Sequence, residues 1–173
     1  MFLTKNYGEK QMIPKESKMF MRFLLAVLLS FMPGVINLFW LPNGMVSEWY
    51  INLAKFPFTP NIYIFGILWS VIHLVLGAGL YLLIKSREEK EHINKALGLF
   101  LTNIVLSAIW PFLLFKYHLI TISMLDSLLI LIIACVMQKF FARENKYAGY
   151  IAWLYIVWLM FALYMHIGIF ILN

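Results

Sequence analysis

Five long runs of apolar residues, separated by shorter polar or breaker-rich segments, dominate the sequence. They lie near residues 19–41, 62–84, 97–115, 119–141 and 147–172. Each has about the 20 residues that a helix needs to cross the hydrocarbon core of a bilayer. Helix is the expected form, because hydrocarbon offers backbone groups no partners, and the alternating polarity of membrane strands is absent. The pattern predicts an all-α integral membrane protein built as a bundle of five transmembrane helices.

Composition supports a lipid environment for one bundle. Hydrophobic residues make up 63% of the 173-residue chain and charged residues 13%, and the mean hydropathy is +0.84. So small a chain cannot hide that much apolar surface from water. We expect a polar, lysine-bearing extension over 1–18 and a single membrane domain over 19–173. The run after the extension is too long for a signal-peptide core, so it should remain as the first helix.

The basic residues predict the orientation in the membrane. Threaded through five spans, twelve of the 14 Lys and Arg residues fall on one side, and only Lys55 and Lys116 fall on the other. The positive-inside rule then places the N-terminus in the cytoplasm and Asn173 outside. We therefore expect a multi-pass membrane protein in this orientation. The net charge of +6 reflects this topology and attraction to anionic lipid, and no basic-aromatic patch indicates a nucleic-acid partner.

The connections between the spans differ in length and composition. Segment 42–61 carries Pro42, Asn43-Gly44, Pro57 and Pro60, which break helices, and it is long enough to return over the bundle as a lid. The link of Lys116, Tyr117 and His118 is so short that spans three and four must be antiparallel neighbours. We expect the charged connections at 85–96 and 138–146 to be solvated.

Small residues in the first span predict close helix packing. Ala26, Ser30 and Gly34 are spaced four residues apart, and Pro33-Gly34 interrupts the span. A stripe of small side chains lets helix backbones approach closely in membranes. We expect this stripe to face inward. Gly98 and Thr102 offer a similar surface for a homodimer, although this spacing is too common to specify a partner.

Two helix faces combine a tryptophan with a small neighbour. In the second span, Trp69, His73, Gly77 and Leu80 share a face, because residues three and four apart lie above one another on a helix. In the fifth span the corresponding face carries Tyr155, Trp158, Ala162 and His166. Two indoles beside small residues suggest a slot for a planar ligand. Interfacial belts and ordinary helix packing use the same residues, so the pattern alone favours packing.

Polar side chains within the spans indicate a network or a ligand contact. Asp126 is the acidic residue deepest in a span, and an ionisable group there must face the bundle interior or water. Asn103 and Ser107 lie on one stripe of the third span, with Trp110 near them. An interhelical hydrogen-bond network and contact with a ligand explain these residues about equally well. The two readings stay open.

No residue pattern indicates conventional catalysis or a metal centre. The sequence has no Ser-His-Asp set at one membrane depth, no Cys/His cluster and no glycine loop for phosphate. Cys135 is the only cysteine, so no internal disulfide can form, and we interpret it as a buried apolar filler. His73 and His166 could ligate haem iron, but a lone intramembrane histidine is more often hydrogen-bonded packing. We expect no required cofactor.

Separated landmarks, all in order, resemble those of one family. They are the loop Trp49–Pro60 with its Trp-Tyr and Lys55, then Trp69, Leu76–Tyr81, Trp110-Pro111 with Phe115, Asp126, and Tyr155–Ala162. Together they resemble the TspO/MBR family of tryptophan-rich sensory and translocator proteins, over roughly residues 30–173. The chain departs from the family pattern at Phe56 and Leu154, where proline is usual, and at Ser107, where asparagine is usual. The two histidines are not part of that pattern.

The resemblance implies a five-helix fold with a cavity for porphyrins and other flat lipophiles, a multi-pass location in the bacterial cytoplasmic membrane and, in many members, a homodimer. For Trp69 and Trp158, the resemblance favours ligand binding over ordinary helix packing. The resulting ligand-binding set is Tyr50, Phe65, Trp69, Gly77, Asn103, Ser107, Asp126, Tyr155, Trp158 and Ala162. Gly77 and Ala162 would give clearance for a macrocycle. Its carboxylates would stay toward the loop near Lys55, where water and positive charge are available.

Three functions are open at this point. The first is a membrane receptor or carrier for porphyrin tetrapyrroles and related lipophiles, with a role in tetrapyrrole homeostasis or stress response. The second, attributed to bacterial members, is light-dependent oxidative breakdown of protoporphyrin, in which Trp69 and Trp158 would be redox participants. The third is a sensory partner of other membrane proteins without turnover, for which the 1–18 extension is the feature to test.

Overall fold

Long helices make up nearly all of the described chain. The computed structural model describes residues 15–41, 43, 46–85 and 90–173, and those residues contain no strand. The elements are α1 (Lys15–Trp40), α2 (Glu48–Asn52), α3 (Ile62–Lys85), α4 (Lys90–Pro111), a π-helical turn (Phe112–Lys116), α5 (Ile120–Glu144) and α6 (Lys146–Leu172). Helices α1, α3, α4 with its π-turn, α5 and α6 are each long and apolar enough to cross a membrane. The all-α, five-span prediction is confirmed.

The helices extend past the apolar runs at their charged ends. Helix α4 begins at Lys90, well before residue 97, and an ion pair of 2.7 Å between Glu91 and Lys95 supports its first turns. Helix α5 continues to Glu144, so Asn145 alone links it to α6. The Asn145 side chain caps α6 by accepting hydrogen bonds from the Tyr147 and Ala148 amides. Hydropathy marks only the length inside hydrocarbon, so the solvated turns were missed.

The neighbours of each helix follow from these connections. Helix α5 packs between α4 and α6, α3 packs against α1 and α6, and α1 also touches α4. The core is apolar, with Leu76, Leu80, Phe100 and Phe141 fully buried. The opposite faces are apolar as well and are exposed, as expected where lipid is the solvent. Cys135 lies on such an exposed face, so the interpretation of a buried filler was wrong.

Glycine permits the closest helix contacts. A Cβ on Gly149 would lie 2.6 Å from Ala142 Cα, which explains the tight α5–α6 hairpin. A Cβ on Gly77 would lie 2.7 Å from Val27 Cα of α1. Ala26 and Ser30 are buried on the same stripe of α1. By contrast, a Cβ on Gly34 would meet nothing within 4 Å, so the predicted inward stripe ends before Gly34.

The described part of the 42–61 loop packs against the end of the bundle that carries His118 and Asn173, called here the loop end. Trp49 stacks on His118 with ring centroids 3.9 Å apart. The Ala54 backbone N–H donates to Asn173 Oδ1, and Asn173 Nδ2 donates to the Ala54 carbonyl oxygen, both at 3.0 Å. Residues 1–14 of the predicted extension, and Pro42, Gly44 and Met45 of the loop, lie outside the described residues. The side of the membrane on which the loop end lies stays a prediction.

We expect Gly77→Leu to destabilise the bundle, because the new Cβ would collide with the α1 backbone, which cannot move aside cheaply. The free energy of unfolding should fall by about 1–3 kcal/mol, measured by thermal unfolding in detergent. Gly34→Leu is the matched control, since its side chain enters open space. Equal stability of the two variants would contradict the assigned α1–α3 contact.

Candidate functional site

A small cavity lies inside the loop end of the bundle. Its volume is about 40 Å³, room for a few water molecules at most. The walls come from α2, α3, α4 with its π-turn, α5 and α6. The lining residues are Tyr50, Phe65, Trp69, Ser107, Trp110, Leu114, Ser127, Ile130, Leu159, Ala162, Met165, His166 and Ile169. Five of the ten residues predicted to bind ligand are therefore brought together here: Tyr50, Phe65, Trp69, Ser107 and Ala162.

An aromatic cluster adjoins this cavity, with Phe65 and Trp69 in the cavity lining and Trp158 and Phe161 outside it. The rings of Phe65 and Trp69 are stacked, with centroids 5.6 Å apart and an interplanar angle of 20°. Trp158 contacts both, at 5.5 Å from Phe65 and 5.9 Å from Trp69, and Phe161 extends the cluster at 5.8 Å. Trp158 Nε1 is buried without a hydrogen-bond partner among the described residues. The two indoles that the sequence placed on separate helices thus meet at one site.

A hydrogen-bond network around His166 forms the opposite wall. The Trp110 indole N–H donates to His166 Nδ1 at 3.1 Å. Since an indole only donates, Nδ1 must be the unprotonated nitrogen, and Nε2 carries the proton toward Ser123 Oγ at 3.1 Å. Ser127 Oγ lies 3.1 Å from Nδ1. His166 therefore links α4, α5 and α6, and both ring nitrogens are used within the protein.

His73 has a different arrangement and lies outside the cavity wall. Its Nδ1 is 2.9 Å from the Trp69 carbonyl oxygen, which only accepts, so Nδ1 donates and Nε2 carries the lone pair. Nε2 is buried without a hydrogen-bond partner among the described residues, and the ring packs against Trp69 and Phe31. Within those residues no group of three His, Cys, Asp or Glu side chains could hold a metal ion.

Asn103 and Tyr155 form a second interhelical network, away from the cavity surface. The Tyr155 hydroxyl donates to Asn103 Oδ1 at 2.6 Å, and Asn103 Nδ2 donates to the Ile130 carbonyl at 2.9 Å. Both side chains are almost completely buried. Of the two readings left open for Asn103, the structure shows the hydrogen-bond network. These contacts tie α4, α5 and α6 together one layer below the cavity.

Gly77 and Asp126 also lie apart from the cavity lining. Gly77 faces α1, and the space beside it is filled by Val27 and Ser30, so it does not leave clearance for a ligand in this structure. Asp126 is buried on α5, and its Oδ2 has no hydrogen-bond partner among the described residues. Neither residue lines the cavity. Helical spacing predicts which residues share a face of one helix, but it does not predict which residues of other helices pack against that face.

Lys55 is engaged with the backbone of the loop. Its ammonium donates to the carbonyl oxygens of Tyr50 at 2.6 Å, Leu53 at 2.8 Å and Ile51 at 3.3 Å, which satisfies the C-terminal end of the short helix α2. Partial burial lowers the pKa of Lys55, and burial raises the pKa of the Tyr50 phenol. Lys55 therefore holds Tyr50 in place and is not the free cation that the sequence suggested for ligand carboxylates.

Two larger spaces adjoin the cavity. A lateral groove of about 390 Å³ lies between α1, α3 and α4, and it shares Phe65, Trp69, Ser107 and Trp110 with the cavity. A second groove of about 320 Å³ lies under the loop and shares Tyr50, Phe65 and Met165 with the cavity. Phe65 lines all three spaces. Each groove is of the size that small-molecule sites occupy, whereas the cavity alone is far smaller.

We expect Tyr155→Phe to lower stability without weakening ligand binding at the cavity. Removing the hydroxyl leaves Asn103 Oδ1 buried and unpaired, at a cost of about 0.5–2 kcal/mol. Thermal unfolding should show the loss, and a ligand titration of the same sample should match that of the unmodified protein. Lowered affinity with unchanged stability would instead make Tyr155 a ligand contact.

The sequence of the chain is similar to the sequences of one known family. The sequence profile of the TspO/MBR family matches residues 23–172. The Tryptophan-rich protein TspO of Chlorobaculum tepidum is 25% identical over 127 residues, covering 73% of this chain and 80% of the relative. The Tryptophan-rich protein TspO of Archaeoglobus fulgidus is 26% identical over 128 residues, covering 74% and 82%. With its five membrane-spanning helices, the chain is an integral membrane protein that belongs to the TspO/MBR family.

Proposed function

We propose that this protein binds flat, lipophilic tetrapyrroles of the porphyrin class at the aromatic cavity, as a membrane receptor or carrier. The observation that carries the proposal is the convergence of Phe65, Trp69 and Trp158, from two helices, beside a cavity that Ala162 leaves open. Flat ring systems stack on indole and phenyl faces, which adds to the gain from burying apolar area. Membership of the TspO/MBR family supports the same ligand class.

The cavity must enlarge to take such a ligand. A volume of about 40 Å³ is an order of magnitude below the roughly 300–1,000 Å³ of small-molecule sites. Phe65 separates the cavity from both neighbouring grooves. Rotation of this one ring would join the cavity to a groove of suitable size. We therefore expect the macrocycle to replace the stacking contact between Phe65 and Trp69 with its own contact to Trp69.

The polar groups set the orientation of the ligand. The cavity lining is mostly apolar, and its polar groups are those of Tyr50, Ser107, Trp110, Ser127 and His166. None of them is a cation that would pair with a carboxylate, because His166 Nδ1 accepts the Trp110 N–H and the ring is neutral, so the lining suits the macrocycle ring and not its carboxylates. An ionised carboxylate buried there without a partner would be costly. The carboxylates therefore point to water at the loop end. Lys116 is the last residue of the π-turn and is exposed at the loop end. Unlike Lys55, it is not hydrogen-bonded to the carbonyl oxygens of α2, so its charge is available to the carboxylates.

The proposal predicts that Trp69→Ala and Trp158→Ala each weaken protoporphyrin binding by about tenfold, because each removes one stacking face. Binding is measured on detergent-purified protein in the dark, by quenching of tryptophan fluorescence and by the Soret band. Trp153→Ala is the control, since Trp153 lies on the same helix as Trp158 but is exposed on the outer face. Unchanged affinity in both cavity variants, or an equal loss in the control, would refute the site.

Photo-oxidative breakdown of the porphyrin by molecular oxygen is the second candidate, favoured by the edge contact of the two indoles at 5.9 Å. The variants Trp69→Phe and Trp158→Phe keep an aromatic face but remove the readily oxidised indole. Under illumination, a receptor should show the same slow bleaching of the Soret band with and without these substitutions. Light-dependent loss of the band that the double variant abolishes, while dark binding persists, would establish the enzyme instead.

A further inference from the structure

The lateral groove opens toward the hydrocarbon of the membrane. Helix α1 lines it with Pro33, Gly34 and Asn37, and α3 lines it with Gly66, Trp69 and Ser70, among other residues. The apolar side chains beside it are among the most exposed of the described residues, with Leu38 at 70% and Ile67 at 64%. Such a surface within two membrane-spanning helices faces lipid. The groove is therefore accessible to molecules dissolved in the bilayer.

The shape of the α1–α3 contact explains why the groove exists. The two helices touch where Gly77 meets Val27, with no room for a Cβ. Toward the loop end, a Cβ on Gly34 or Gly66 would meet nothing within 4 Å. The two helices are in close contact at Gly77 and diverge toward the loop end, where Gly34 and Gly66 lie at the edges of the gap between them. A larger residue at either edge would narrow the gap.

Only one layer of side chains separates the groove from the cavity. Phe65, Trp69, Ser107 and Trp110 line both spaces. Trp110 is fixed by its hydrogen bond to His166. The ring contacts of Phe65 among the described residues are those with Trp69 and Trp158, and turning the Phe65 ring breaks no hydrogen bond. Phe65 is therefore the movable member of the partition.

The alternative route, under the loop, is fastened at several points. Trp49 stacks on His118, and Ala54 forms two hydrogen bonds with the Asn173 side chain. The Phe56 side chain packs so closely on Gly168 that a Cβ there would lie within 3 Å of it. Tyr164 adds a hydrogen bond of 3.1 Å to the Pro57 carbonyl. Lifting the loop would break these contacts together. Turning Phe65 would also join the cavity to the groove under the loop, but Lys55, Thr59 and Asn61 line that groove, so it suits a ligand arriving from water. The lateral groove lies between membrane-spanning helices and suits a ligand arriving from the bilayer.

We infer that the lateral groove is the entrance through which a flat, apolar ligand dissolved in the bilayer reaches the cavity, with the Phe65 ring as its gate. The inference rests on the proposed function and adds the route and the source of the ligand. A molecule of this class concentrates in hydrocarbon before it meets the protein. Asn37 lines the groove with a buried Oδ1 that has no hydrogen-bond partner among the described residues, an acceptor suited to a ring N–H of the passing ligand.

The test narrows the groove without touching the cavity. Gly34→Phe and Gly66→Phe are reconstituted in phosphatidylcholine vesicles, and the entry of protoporphyrin is followed by stopped-flow quenching of tryptophan fluorescence. Gly98→Phe is the matched control, since Gly98 also has open space at its Cβ and lines neither groove. Thr59→Phe narrows the groove under the loop instead. Equilibrium titration of every variant reports on fold and affinity.

We expect the two lateral variants to slow association and dissociation alike, by about tenfold or more, with little change in equilibrium affinity. Gly98→Phe and Thr59→Phe should retain the rates of the unmodified protein. Unchanged rates in both lateral variants, slowing in Thr59→Phe alone, or a loss of affinity in place of slowing would overturn the lateral route. Absence of saturable binding in the unmodified protein would refute the proposed function itself, a result distinct from any of these.

Discussion

The interhelical hydrogen bonds of a few buried polar side chains determine the geometry on which the rest of this structure depends. Hydrocarbon supplies no partner for a buried donor or acceptor, so hydrogen bonds between side chains on different helices are favoured there. His166 joins Trp110 of α4 to Ser123 and Ser127 of α5. One layer deeper, Tyr155 and Asn103 join α6 to α4, and Asn103 continues to the α5 backbone. These links hold three helices in one register and leave the cavity between them.

The other two long helices complete the site by packing contacts instead. Helix α3 brings Phe65 and Trp69 against Trp158 of α6 through ring contacts without hydrogen bonds. Helix α1 is held to α3 where Gly77 admits Val27 and diverges beyond that point. On one side of the cavity, hydrogen bonds fix the side chains of α4, α5 and α6. On the side formed by α3, ring contacts alone hold the side chains of Phe65 and Trp69, and these rings can turn without breaking a hydrogen bond. Under the proposed function, this asymmetry would let the small cavity enlarge around a ligand while the hydrogen-bonded wall keeps the fold.

The sequence predicted the features that depend on long patterns. Five apolar runs of the right length specified the spans, and helical spacing together with the family resemblance brought Trp69 and Trp158 to one site. It did not predict features that depend on which neighbour fills a space. Gly34 and Gly77 look alike in the sequence, yet Gly77 is packed against a backbone and Gly34 is open. Ser123 and Ser127 gave no signal, because a hydroxyl four residues from another marks a face without identifying the histidine opposite.

Lys55 shows the same limit for charge. The sequence supplies a cation in the loop, but only the structure shows that its ammonium donates hydrogen bonds to the carbonyl oxygens of Tyr50, Ile51 and Leu53. The helices also extend beyond the apolar runs, since Glu91–Lys95 and Asn145 stabilise turns that hydropathy does not detect. In each case a local hydrogen bond decided the outcome.

The most direct measurement of the central claim is an experimental structure of the protein with protoporphyrin bound. The account predicts a macrocycle in contact with the faces of Trp69 and Trp158, the Phe65 ring turned away from its stacked position on Trp69, and the His166 and Asn103 hydrogen bonds unchanged. A macrocycle bound elsewhere on the bundle, with Phe65 still stacked on Trp69, would contradict it.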